Sequence, residues 1–140
     1  MPEYSRQDLA KTFLPIGEML QLTTITEINN GTIVAERELS ANDWVFPLHF
    51  PGDPIFPGSL LIEGAGQVMA MWGWHSGLRG KPRLVKVSAE FKNPVSSDDK
   101  LVTFRGTMTK RNNICIGTVQ ITIGERCIGS VSGSIVVLAG

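Results

Sequence analysis

The chain of 140 residues predicts an α+β fold in which an antiparallel sheet wraps one dominant helix. Three observations carry the prediction. The segment Ser59 to Trp74 is apolar on every side of a helical projection, and a helix apolar all round is buried all round. Runs of alternating apolar and hydroxyl residues lie before and after it, joined by short turn signals. With 42% hydrophobic and 19% charged residues the composition is that of a globular chain, and no repeat or linker divides residues 1–140, so one domain is expected.

Taken in order, RQDLAKTFLP predicts a short helix that stops before Pro15, because proline pushes its preceding residue out of helical geometry. LQLTTITEI and TIVAERELS read as strands paired across Asn29-Asn30-Gly31, a turn signal suited to left-handed backbone angles. Next comes PLHFPGDPIFPG. Its Pro51, Pro54 and Pro57 recur every third residue, the spacing of a stiff extended chain. Extended throughout, that loop would hold its two ends up to about 28 Å apart.

The greasy helix follows. It falls short of the roughly 20 apolar residues that cross a bilayer, so no membrane span is expected. Gly64, Gly66 and Gly73 each cost such a helix about 1 kcal/mol relative to alanine. Close approach of other backbone is the expected compensation.

Beyond Leu84 the chain predicts a strand meander. RLVKVSAEFKNPV stops near Pro94. In KLVTFRGTMTKR, Val102, Phe104 and Met108 share one face, and Thr103, Arg105, Thr107 and Thr109 the other. After a turn at Asn112-Asn113, Val119, Ile121 and Ile123 point inward; after Gly124-Glu125, Val131 and Ile135 alternate with serines up to Leu138.

Composition also narrows function. Thirteen basic residues balance thirteen acidic ones, which argues against nucleic acid as a partner. Nothing at the N-terminus resembles a signal peptide, so a cytoplasmic protein is expected. Cys115 and Cys127 then read as reduced core residues, and no zinc-type spacing is present.

Within the helix, past Ser59, the polar side chains are Glu63 and Gln67, four residues apart and so on one face. No lysine or arginine on the helix pairs with Glu63, and burying an unpaired carboxylate costs several kcal/mol. A carboxyl kept in such a place reads as one that exchanges protons. Before it stand Gly58 and Ser59, whose free N–H groups at the positive helix end can stabilise a developing enolate oxygen. His49 stands at the far end of the loop. Together these parts fit proton abstraction next to a carbonyl.

The arrangement His49-Phe50, Pro54, Pro57-Gly58 and Glu63 resembles the signature of the β-hydroxyacyl-acyl-carrier-protein dehydratases, the FabZ and FabA types. Their pattern is His-Phe-x-x-x-Pro-x-x-Pro-Gly with a carboxylate five residues after the glycine. The glutamate and Gln67 are similar to the FabZ type; FPGDP and WGWHSGLRGKPR are similar to the FabA type, some of which also isomerise the product.

The resemblance implies a hot-dog fold, no cofactor or metal, and a homodimer whose two sites each combine one subunit's histidine with the other's acid. A trimer of dimers stays open. In the implied reaction His49 takes the α-proton of a 3-hydroxyacyl thioester and Glu63 helps the β-hydroxyl leave as water. Gly58 N–H polarises the carbonyl and Gln67 orients Glu63. Phe50, Phe56 and Pro57 would line the tunnel. Arg79, Lys81, Arg83 and Lys86 would receive the acidic acyl carrier protein. The alternatives are an acyl thioesterase of the same fold and a non-catalytic acyl-binding subunit. His75 reads as a helix-end or surface residue.

Overall fold

A computed structural model describes residues 2–140. Its elements run α1 (Arg6–Leu9), β1 (Thr24–Ile28), β2 (Thr32–Glu38), α2 (Gly58–His75), β3 (Lys81–Phe91), β4 (Leu101–Arg111), β5 (Ile114–Ile123) and β6 (Arg126–Leu138). The six strands form one antiparallel sheet in the order β1-β2-β4-β5-β6-β3. Helix α2 lies against β4, β5 and β6, and its Ala65, Val68, Met69 and Met71 are fully buried there.

Strand faces follow the sequence period. Val102, Phe104 and Met108 of β4 are buried while Arg105, Thr107 and Thr109 between them are exposed. Val119 and Ile121 of β5 and Val131 and Ile135 of β6 complete the inner layer.

Local chemistry differs from expectation at four places. The first helix is one turn, closed by a capping box in which Ser5 and Asp8 exchange hydrogen bonds. The N–H and hydroxyl that Ser5 donates hold the Asp8 carboxyl below its ordinary value of 3.8. A depressed carboxylate stabilises the folded form above its unfolded pKa and loses that contribution as pH falls through the folded one. Fraying of residues 5–9 is therefore expected only in acid, and amide exchange followed through pH 4 and below should detect it.

The turn between β1 and β2 holds no left-handed residue. Its Asn29 Oδ1 instead accepts from the N–H groups of Gly31 and Thr32 at 3.0 and 2.8 Å, an Asx turn. The left-handed residue falls at Asn112 (φ 56°), in the β4–β5 hairpin.

Of the two cysteines, Cys115 is buried, and burial pushes its thiol above the ordinary value. Cys127 is exposed, not core, and both are free.

The glycines of α2 divide. A Cβ on Gly64 would come within 2.9 Å of the Phe104 ring, and one on Gly73 within 2.9 Å of Cys115 Sγ. Side chains, not other backbone, press on the helix at these points. A Cβ on Gly66 would meet nothing within 4 Å. Gly64→Ala is therefore expected to destabilise, because overpacking against Phe104 costs about 1–3 kcal/mol and outweighs the gain of about 1 kcal/mol in helix propensity. A lower midpoint in chemical denaturation is the check.

Strand β3 is an edge, bonded only to β6. Leu84, Val85, Val87 and Phe91 on it are 47%, 62%, 40% and 41% exposed. A long edge with apolar side chains in water is a pairing surface unless it is covered.

Candidate active site

The proline loop is folded back, not extended. Phe50 and Asp53 exchange backbone hydrogen bonds of 2.7 and 2.9 Å around Pro51-Gly52. Gly52 has φ 78°, and proline then glycine at the two central positions is the pattern of a type II turn. Ile55 N–H donates to the His49 carbonyl at 2.8 Å, and Phe56 N–H donates to Val95 O at 2.7 Å. The loop thus returns His49 to a point three residues before the start of α2. The spacing of its prolines fixed its stiffness but not its direction, because Gly52 reverses the chain between them.

The His49 ring lies 2.8 Å from the Ile55 carbonyl through Nδ1. A carbonyl only accepts, so Nδ1 carries a proton, and in the neutral ring this contact selects the tautomer with the lone pair on Nε2. The ring stacks on Phe50 with centroids 3.9 Å apart, and the peptide between the two residues is cis. The hydrogen bond holds the ring in the orientation, with Nε2 turned away from Ile55, that a general base requires.

Helix α2 begins at Gly58 with Pro57 as its N-cap, and no side chain caps it. The Leu60 and Leu61 N–H groups turn back to the Pro57 carbonyl. The N–H groups of Gly58 and Ser59 lie before any intrahelical acceptor and remain available. A cavity of 370 Å³ opens beside them, lined by Ile55, Phe56, Gly58, Leu61, Phe91 and the 92–95 loop. Phe91 closes on Gly58 so tightly that a Cβ there would stand 3.1 Å from its ring.

Glu63 faces another cavity, of 290 Å³, along the flank of α2 that carries Ser59, Ile62, Gly66 and Ala70. Its opposite wall is Pro82, Arg83 and Leu84 of edge strand β3, with Ile135, Leu14 and Pro15. Glu63 is half-buried, not sealed in hydrocarbon. The buried member of the pair is Gln67, 3% exposed. Gln67 Nε2 donates to Glu63 Oε2 at 2.7 Å and to the Met19 carbonyl at 2.8 Å, while its Oε1 accepts from Gln21 N–H at 2.8 Å. One carboxylate oxygen is thereby fixed on a side chain that lines the cavity.

Among the described residues His49 and Glu63 share no hydrogen-bond partner, and His49 does not line the cavity that Glu63 faces. His49 is tied to the Gly58 side of the helix start and Glu63 to the β3 side.

Other residues fall as follows. Phe56 is buried at the first cavity, and Arg37 Cζ sits 5.1 Å from its ring centroid. Phe50 is 50% exposed beside a surface cleft, and Pro57 is buried as the N-cap. The basic stretch is dispersed. Arg83 lines the Glu63 cavity, Lys86 faces the outer side of the sheet, and Lys81 is exposed. Arg79 lies 3.6 Å over Trp74 and donates to the Trp74 carbonyl in the last turn of α2. His75 is exposed and shares a 2.8 Å hydrogen bond between its Nδ1 and the Tyr4 hydroxyl.

Two supports had no place in the sequence argument. Gln21 is 1% exposed and supplies the N–H that holds Gln67; its signal was a polar residue between two leucines that are themselves buried. Arg37 donates to the Glu38 carbonyl and pairs with Asp43, joining β2 to the loop that carries His49. Burial pushes its guanidinium down from the ordinary value, and Asp43 partly offsets this.

A six-stranded antiparallel sheet packed on one long helix defines a hot-dog protein. Residues 10–132 match the model of the FabA-like domain, and the chain belongs to that family. Solved structures of similar fold include the dehydratase heterocomplex ApeI:P from Xenorhabdus doucetiae, at TM-score 0.77 and 14% identity, covering 99% of this chain and 91% of that one. An uncharacterized protein from Pyrococcus horikoshii matches at TM-score 0.70 and 14% identity, with 100% and 96% covered. A hypothetical thioesterase with coenzyme A from Streptococcus pneumoniae matches at 0.61 and 17%, with 82% and 84% covered. At these identities the likeness is one of fold.

Proposed function

We propose that the protein dehydrates 3-hydroxyacyl thioesters, carried on acyl carrier protein, to trans-2-enoyl thioesters. The observation that carries this reading is the His49 ring, fixed by the Ile55 carbonyl with Nε2 free, on the same loop that delivers the uncapped start of α2. A base and an oxyanion donor on one rigid piece are what abstraction α to a thioester carbonyl needs.

In the reaction Nε2 of His49 takes the α-proton, and the electron pair left behind moves toward the carbonyl oxygen, which Gly58 N–H stabilises. The enolate then collapses: the carbonyl re-forms, and the electron pair between the carbonyl carbon and the α-carbon makes the new double bond between the α- and β-carbons as the β-carbon–oxygen bond breaks. The Glu63 carboxyl gives the departing hydroxyl a proton, so that water leaves. Proton return from His49 to Glu63 restores the site. Gln67 orients the carboxyl throughout. The glutamate at the acid position supports the FabZ type over the FabA type.

Two protomers complete the site. Pairing of two β3 edges would cover the exposed Leu84, Val85 and Val87 and remove the open ladder. The same strand walls the Glu63 cavity, so a partner docked there can bring its His49 loop to this chain's Glu63.

Hydrolysis by the same base, acting on water, is the second reading, and thioesterase-type neighbours of the same fold motivate it. One assay separates them: supply a 3-hydroxyacyl thioester and follow enoyl absorbance and free thiol together. Enoyl product without thiol is expected. Thiol without enoyl would replace dehydration by hydrolysis.

A further inference from the structure

Gly66 is the glycine of α2 that the protomer's own packing does not explain. Gly64 and Gly73 are required by Phe104 and Cys115, whereas a Cβ on Gly66 would enter open space. Its φ is not left-handed, so alanine fits its backbone without strain and would be the better helix former. The open space is the cavity beside Glu63. Gly66 lies one turn past that carboxylate, and the cavity wall continues from Ser59 through Gly66 to Ala70. At 1.5 Å per residue this makes a trough about 16 Å long on the helix flank. Opposite it stand the apolar Leu14, Pro15, Pro82, Leu84 and Ile135.

We infer that Gly66 is a specificity-determining residue: its missing side chain leaves room for an aliphatic acyl chain to run past Glu63, so the site takes long or bulky chains and not only short ones. This rests on the dehydratase reading for the identity of the reacting group. Chains too short to pass Glu63 do not reach Gly66, whereas longer ones must lie against it. A leucine there would fill the trough, and a single misfit group in an apolar pocket shifts discrimination by about tenfold or more.

The test compares wild type, Gly66→Ala and Gly66→Leu on short-, medium- and long-chain 3-hydroxyacyl thioesters. The long-to-short ratio of kcat/KM is expected to fall by about tenfold or more in Gly66→Leu. Gly66→Ala should move the ratio in the same direction by a smaller factor while raising the melting temperature. An equal fall on every chain length would overturn the inference. So would a Gly66→Leu protein that light scattering finds dissociated, since a partner side chain would then occupy the trough.

If wild type turns over no hydroxyacyl thioester, the dehydratase reading fails and binding still decides about Gly66. A fluorescent long-chain fatty acid should bind wild type about tenfold more tightly than Gly66→Leu. Equal binding would overturn the inference.

Discussion

His49→Ala is expected to lower turnover of a 3-hydroxyacyl thioester by about 100- to 10,000-fold, the usual loss when a positioned general base is removed. Little stability should go with it, since the ring is only partly buried and makes one hydrogen bond, to Ile55. Glu63→Gln should fall in the same range, with the fold kept because Gln67 can still donate to the new carbonyl oxygen. Mixing the two inactive proteins gives a sharper result. If each site takes histidine from one subunit and the acid from the other, half of the randomly re-paired dimers are mixed and carry one intact site. About a quarter of wild-type activity should then return. Subunits that stay inactive after exchange, verified by mass, would mean that His49 and Glu63 of one chain act together. A Glu63→Gln protein at full rate would remove the carboxyl from the chemistry altogether.

Gln67→Leu should cause the largest loss of stability among substitutions at the site. The leucine fits the volume, but the amide satisfies three partners at once: the Glu63 carboxylate, the Met19 carbonyl and the Gln21 N–H. Removing it leaves the Gln21 N–H without its partner in a region where Gln67 and Gln21 are 3% and 1% exposed, while the Met19 carbonyl keeps the 3.3 Å hydrogen bond from Gln21 Nε2. One orphaned buried N–H costs about 1–3 kcal/mol, and that much stability is expected to go. Glu63 also loses its anchor, so kcat should drop while KM changes less. Denaturant titration and steady-state kinetics on the same preparation measure both. A variant as stable as wild type would mean that the segment around Gln21 finds other partners.

Much of this architecture could be read from residue order. The period-two faces of β4 and β5 and the all-round apolar character of α2 fixed the sheet and the helix it covers, because burial follows side-chain period. The spacing from His49 to Glu63 is what suggests the chemistry proposed above. What one chain's sequence hid was mostly conformational. A proline every third residue implied an extended loop, yet a single glycine with φ 78° turned it back on itself. The two asparagines before Gly31 implied left-handed backbone, yet the Asn29 side chain closes the turn. Glu63 seemed buried because its helical neighbours are apolar, but its flank of the helix faces a cavity beside a sheet edge. Cys127 lies on a strand, beside a buried Ile128, and still ends up exposed. In each case a position's neighbours along the chain said less than its neighbours in space.

The edge strand β3 has one more consequence. It is at once the surface on which two copies would meet and a wall of the trough that holds the acid. Under the proposed reading a lone chain holds two halves of different sites and no whole one. Catalytic output should then depend on how crowded the protein is: specific activity stays level at high concentration and drops steeply once dilution passes the dissociation constant of the pair.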